Sequence, residues 1–326
     1  MRPVYGKDRL YDFLLPYVNW SFRRVFRSLR YEGCKNIPAD GSVIFSPNHV
    51  NTLLDALAVL AMMQGRPVVF AARADIFRKK GLATVLNFLR ILPINRMRDG
   101  IDSLSGNEDT FRNAVESLKR GIPFCIFPEG RHSQAEGLLP LRKGIARIAL
   151  MAADEIPGPI YIVPIGLSYK DYIHFHTSLE VHVGEAIRIT PDNDTTDNSA
   201  VPEVYKARKS RLLLNDLASR MKNLINQPLQ KDADNTLSLL LIPLVPAAGV
   251  LLIPAFSLIS FIKGRIADKA FMNSIRYVIC YLINPVVIFF IAITLFFFSA
   301  IPLWLALLLP LASVFAPEIW YGVRNI

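Results

Sequence analysis

The chain has 326 residues and a formal charge of +10, from 37 Lys and Arg against 27 Asp and Glu. Its 52% hydrophobic content and mean hydropathy of +0.31 exclude an ordinary soluble domain throughout, because the apolar excess is concentrated after residue 236. Three widely spaced cysteines, Cys34, Cys125 and Cys280, exclude a disulfide framework or zinc knuckle and point to a reducing compartment, while the basic balance favours an anionic partner, here membrane phospholipid rather than nucleic acid.

At the N-terminus, Leu10, Phe13, Leu14, Tyr17, Val18, Phe22, Val25, Phe26 and Leu29 recur at spacings of three and four, the stripe of a helix. Arg23, Arg24, Arg27 and Arg30 fall off that stripe, and Trp20 is suited to headgroup level. Residues 1–32 are therefore expected to form an amphipathic helix on a membrane interface, with packing on the chain's own domain as the alternative. Asp8, Asp12, Arg23 and Arg24 interrupt any secretory leader, so the following domain is expected on the cytoplasmic side.

Residues 33–230 alternate short apolar runs with amphipathic segments: 42–46, 52–63, 67–72, 76–89, 108–119, 123–127, 144–153 and 160–168. A further strand candidate at 179–189 precedes a polar loop and a basic helix at 202–226. Strand-helix alternation predicts an α/β core with a largely parallel sheet.

Residues 236–317 are expected to form a membrane region. The run 237–262 is apolar but carries Pro243, Pro246, Gly249 and Pro254, which argues for a bent or re-entrant segment. Residues 277–298 would give about 33 Å of helix, enough to cross a hydrocarbon core of about 30 Å. Residues 301–316, broken by Pro302 and Pro310, would return as the second arm of a hairpin. Lys263, Arg265, Lys269 and Arg276 then mark the cytoplasmic side.

Two constellations carry chemistry. In Ser46-Pro47-Asn48-His49-Val50-Asn51-Thr52-Leu53-Leu54-Asp55, a His follows a strand and a carboxylate lies inside the next helix. Imidazole titrates near neutrality and suits removal of an alcohol proton, and a carboxylate on its other nitrogen would fix the tautomer. The bland alternative for Asp55 is a capping box with Thr52. The second constellation, Phe127-Pro128-Glu129-Gly130-Arg131-His132-Ser133, ends an apolar strand and precedes Arg142 and Lys143; it reads equally as a turn or as backbone amides facing an anion.

The two blocks, in this order, together with Leu92-Pro93-Ile94-Asn95-Arg96 and Ile162-Val163-Pro164-Ile165, resemble the glycerolipid acyltransferase family over about residues 31–189. The resemblance implies an α/β fold of that type, a mixed sheet flanked by helices, with the N-terminal interfacial helix and C-terminal hydrophobic membrane hairpins added. It also implies an O-acyltransferase of phospholipid biosynthesis that moves a fatty acyl chain from acyl-CoA or acyl carrier protein to 1-acyl-glycerol-3-phosphate (lysophosphatidate), with no bound cofactor. Glycerol-3-phosphate or another lysolipid is the alternative acceptor. His49 would be the base and Asp55 its partner, with Arg96, Glu129, Gly130, Arg131 and His132 on the substrate side. Two departures stand out: five residues separate His49 from Asp55 where most members have four, and Arg131-His132-Ser133 replaces Thr-Arg-Ser. The extra residue would turn Asp55 by about 100° on an ideal helix unless the loop at Val50 and Asn51 absorbs it.

Other groups are less pointed. His174, His176 and His182 lack metal-ligand spacing, and Arg73, Arg78, Lys79 and Lys80 fit a donor's phosphates or a solvated face equally. No Gly-rich loop with a following Lys and no G-x-S-x-G elbow is present, which argues against nucleotide hydrolysis and serine-hydrolase chemistry. The rival from another class is a non-catalytic lipid-binding or transport protein.

Overall fold

The computed structural model describes residues 4–95, 107–134, 137–172, 174–191, 202–230, 236–266, 268–298 and 300–324. Their strands are β1 (Ser28–Glu32), β2 (Ser42–Pro47), β3 (Val69–Arg73), β4 (Ile91–Ile94), β5 (Phe124–Cys125), β6 (Ile160–Tyr169), β7 (Ser178–Val183) and β8 (Ile187–Ile189). They form an eight-stranded sheet in the order β1-β7-β6-β2-β5-β3-β4, with β8 pairing β6. From β6 to β4 neighbours run parallel, so these strands end on one edge of the sheet, where α/β folds place ligands. β7 and β8 run antiparallel to β6, which makes the sheet mixed. The expected strand at 179–189 is thus two strands, parted where the N–H of Gly184 donates to Pro164 O at 2.9 Å.

Both faces of the sheet are covered, and strand alternation assigns the residues. Val43, Phe45, Val163 and Ile165 point into one apolar cluster, while Ile44, Phe124, Ile160 and Ile162 point into the other. The second face is closed by α4 (Asn107–Lys119), α5 (Gly144–Glu155) and α6 (Pro202–Ile225), through Phe111, Ile148 and Met221. The first is closed by α1 (Arg9–Arg23) and α2 (Leu53–Met62), through Leu15, Phe22, Leu54 and Ala58. α3 (Lys80–Phe88) follows β3.

α1 is shorter than its apolar stripe: it stops at Arg23, and Leu29 lies in β1. Two faces share that stripe. Tyr11, Leu15 and Phe22 are buried, whereas Leu10 and Phe13 are exposed, Phe13 at 77%. The first face packs on the chain's own domain, and the second is exposed.

The C-terminal region contains α7 (Val245–Leu251), α8 (Ile253–Lys263), α9 (Met272–Tyr277), a π-helical stretch (Val278–Ile283), α10 (Asn284–Phe297) and α11 (Leu303–Arg324). Met272–Phe297 and Leu303–Val323 are two helices long and apolar enough to cross a membrane, and Leu240–Leu251 with Ile253–Lys263 is a pair bent by 63°. The bend falls just before Pro254, whose ring removes a helical donor. The first long helix starts earlier than expected, at Met272, and the polar residues of its added turn are satisfied by protein: Asn273 Nδ2 donates to Tyr172 O at 2.7 Å and Arg276 donates to Asn273 Oδ1 at 2.9 Å. Further along, the hydroxyls of Tyr277 and Ser21 lie 2.9 Å apart, Tyr281 donates to Arg24 O at 2.9 Å, and Tyr17 donates to Tyr281 O at 2.6 Å. The second long helix is anchored likewise, by Glu318 at 2.6 Å from Arg24.

Candidate active site

Where β2 leaves the sheet, Asn48 replaces the missing ladder bonds with its side chain. Its Nδ2 donates to Leu167 O at 3.1 Å and its Oδ1 accepts from Leu167 N at 2.7 Å. The next residue, His49, has its backbone held from both sides by the loop after β5: its N–H donates to Glu129 Oε1 at 2.9 Å, and its carbonyl accepts from Ser133 N at 2.9 Å. The ring stacks on Phe127 with centroids 4.1 Å apart and planes at 22°. The two constellations therefore meet at one residue.

His49 Nδ1 lies 2.8 Å from Asp55 Oδ2. The five-residue gap is absorbed before the helix begins, and Asp55 is not rotated away. The N–H groups of Val50 and Asn51 curl onto Asp55 Oδ2 at 2.8 and 2.7 Å, and Thr52 takes φ 48° and ψ −114° as the residue ahead of α2. Thr52 makes no side-chain bond to its own helix, and Asp55 takes the N–H groups of Val50 and Asn51 in place of that of Thr52, so the pattern is not a capping box and the carboxylate serves the loop and His49.

Asp55 is fully buried and its other oxygen accepts the Tyr169 hydroxyl at 2.7 Å. Burial and the neighbouring Asp55 push the Tyr169 phenol well above its ordinary range, so it remains a donor. Every partner of Asp55 besides His49 is an N–H or O–H. The bond network thus assigns a proton to Nδ1, so that in the neutral ring the lone pair falls on Nε2, in a side chain that keeps 18% of its surface.

Each oxygen of Glu129 already accepts one backbone N–H, from His49 and, at 3.1 Å, from Leu139. Burial raises its carboxyl above the usual range, and those two bonds oppose the rise. Glu129→Gln would turn an amide N–H₂ towards one of these donors and leave it without an acceptor, at a cost of about 1–3 kcal/mol. The expected result is a lower Tm together with slower turnover; a Tm equal to that of the unaltered chain would show that the tie contributes nothing.

Gly130 adopts φ +69°, a conformation that favours glycine, and its N–H closes a turn onto Phe127 O at 3.1 Å. The turn reading is met, with the Gly130 amide used inside the turn. Arg131 is exposed. His132 presents its ring edge-on to His49 at 5.8 Å, and its Nε2 lies 2.6 Å from Asp268 Oδ2, a bond that holds the Asp268 carboxyl below its usual range. Arg96 lies outside the described residues; β4 ends at Ile94, on the same edge of the sheet. Arg73 donates to Asp75 at 3.0 Å, and among the described residues no group of three or more His, Cys, Asp or Glu is placed to hold a metal.

Sequence reasoning missed Tyr169, the bridging role of Asn48, Asp268 and Ser274. Tyr169 shares strand parity with the buried Ile165 and Leu167, so a hydroxyl at an inward position was a readable signal. Asp268 and Ser274 offered none, since Ser274 meets Thr52 across 222 residues of chain.

An α/β sheet thus carries, at its strand ends, a buried carboxylate paired with a partly exposed imidazole. Residues 28–168 match the family described as Acyltransferase. The chloroplastic 1-acyl-sn-glycerol-3-phosphate acyltransferase LPAT1 of Arabidopsis thaliana is 26% identical over 145 residues, 44% of this chain and 36% of the relative. Glycerol-3-phosphate O-acyltransferase 1 of Saccharomyces cerevisiae is 32% identical over 101 residues, 29% of this chain and 13% of the relative. The chain thus spans little more than a third, or less, of the length of these two relatives. The crystal structure of the 1-acyl-sn-glycerophosphate acyltransferase PlsC from Thermotoga maritima superposes with a TM-score of 0.45 at 18% identity, over 68% of this chain and 85% of that one.

Proposed function

We propose that this chain is a membrane-bound acyltransferase that moves a fatty acyl group from acyl-CoA or acyl carrier protein to 1-acyl-glycerol-3-phosphate, forming phosphatidate in phospholipid synthesis on the cytoplasmic face. The observation that carries the reading is the His49–Asp55 bond of 2.8 Å, made by a ring that keeps 18% of its surface. Supporting it are the names of the relatives, the two long apolar helices and the +10 charge, which suits anionic lipid.

In this reading the acceptor hydroxyl donates its proton to His49 Nε2 as its oxygen attacks the thioester carbonyl. The carbon–sulfur bond then breaks, and the imidazolium returns the proton to the leaving thiolate. Asp55 holds Nδ1–H throughout and stabilises the transient positive charge. Arg96, Arg131 and His132 are the groups proposed for the acceptor's phosphate, with Glu129 and Gly130 shaping the turn beside its glycerol.

Glycerol-3-phosphate is the second reading, favoured by the yeast relative's name and the five-residue spacing. The test is initial rates of the full chain in anionic vesicles, with lysophosphatidate, glycerol-3-phosphate and a lysolipid of another headgroup as acceptors, against acyl-CoA and acyl carrier protein. Lysophosphatidate is expected to give the highest kcat/KM. Preference for glycerol-3-phosphate would overturn the acceptor, and transfer to none of them would favour the non-catalytic lipid-binding alternative.

A further inference from the structure

By sequence, the stretch from Asp268 to Ser274 belongs to the apolar C-terminal region, yet it touches the catalytic loops at separate points. The Ser274 hydroxyl is buried, lies 2.6 Å from Thr52 Oγ1 and accepts the N–H of Leu53 at 3.2 Å. Thr52 Oγ1 also faces Ala270 O at 3.4 Å. Asp268 binds His132 at 2.6 Å, and Phe271 meets the same ring edge-on at 5.2 Å.

These contacts fall where the catalytic loop is weakest. Thr52 holds a positive φ of 48°, which a β-branched residue rarely adopts, and its hydroxyl caps nothing in its own helix. The N–H of Leu53, the first of α2, has no partner within the helix, and Ser274 supplies its acceptor. Asp55 sits in the first turn of that helix, so the geometry of the His49–Asp55 pair depends on a cap delivered by the first of the two long apolar helices.

We propose that residues 268–274 form a wall of the catalytic centre, with Ser274 a positioning residue for the His49–Asp55 pair and Asp268 a positioning residue for His132. The C-terminal region then completes the site as well as meeting lipid. This rests on the acyl-transfer reading for its kinetic consequence, but its structural content is independent of the reaction.

The experiment compares Ser274→Ala, Ser274→Thr, Asp268→Ala and His49→Ala in the full chain in vesicles, by steady-state kinetics, Tm and hydrogen exchange of the peptide covering residues 48–55. Ser274→Ala is expected to lower kcat about tenfold, the scale of one lost helix cap, with both KM values unchanged. Exchange should quicken within 48–55 alone, and Ser274→Thr, which keeps the hydroxyl, should restore both. Asp268→Ala is expected to raise the acceptor's KM and leave the donor's unchanged. Unaltered exchange and kcat in Ser274→Ala would overturn the proposal, as would equal losses in Ser274→Thr with a lowered Tm, which mark packing alone. If His49→Ala kept full transfer, the reaction reading would fall, and exchange in 48–55 would still decide the wall.

Discussion

Replacing His49 by Ala is expected to cut acyl transfer by about 10²- to 10⁴-fold, the contribution of a positioned general base, while leaving Tm and vesicle binding nearly unchanged. The separation follows from how the residue is held. What fixes the turn is the His49 backbone, through Glu129 Oε1 and the Ser133 N–H, and both bonds survive loss of the ring. Asp55 keeps the Val50 and Asn51 amides and the Tyr169 hydroxyl, so no uncompensated buried carboxylate is created. The space left beside Phe127 opens towards solvent, because the ring retains 18% exposure. Initial rates at saturating donor, read beside a thermal melt, check this. A variant with full rate would show that the alcohol proton leaves by another route.

How much of this was legible in the sequence depends on the range of each interaction. Alternating runs such as Ile44 and Phe45 carry the sheet in themselves, since each side chain faces one of two covered faces, and the strands and helices of the α/β core fall close to their expected spans. His49 and Asp55 were readable because six positions of chain join them. The loop that absorbs the odd spacing was only posed as a requirement, because a left-handed Thr52 is not a local preference of threonine. Leu29 misled for the opposite reason: helical spacing continued past Arg23, but pairing of Ser28–Glu32 with β7 captured those residues for the sheet. Asp268 and Ser274 lay beyond any local pattern, in a region whose hydropathy speaks of lipid and hides its contacts with the core.

Asp55→Asn is the other substitution with a large expected effect, and it should differ from His49→Ala in kind. The buried oxygens of Asp55 face donors on every side: the Val50 and Asn51 amides at 2.8 and 2.7 Å, and the Tyr169 hydroxyl at 2.7 Å. An asparagine offers one acceptor and one donor group: with the N–H₂ towards His49 the Val50 and Asn51 N–H groups lose their acceptor, and with it towards Tyr169 the phenol must accept and turn its own proton away from Oδ1 in a dry site. That costs about 1–3 kcal/mol for each orphaned group. If the amide N–H₂ faces His49 it donates to Nδ1, which moves the ring proton to Nε2 and removes the base; a wrong tautomer of this kind costs about 10⁴ in kcat in the triad enzymes. Both Tm and kcat should therefore fall, whereas His49→Ala lowers kcat alone. Tyr169→Phe separates the contributions, because it strips one donor from Oδ1 and leaves the Nδ1 bond in place, so Tm should drop with a smaller loss of rate. An Asp55→Asn variant as stable as the unaltered chain would mean that the carboxylate is solvated, and the bond network that fixes the His49 tautomer would have to be abandoned.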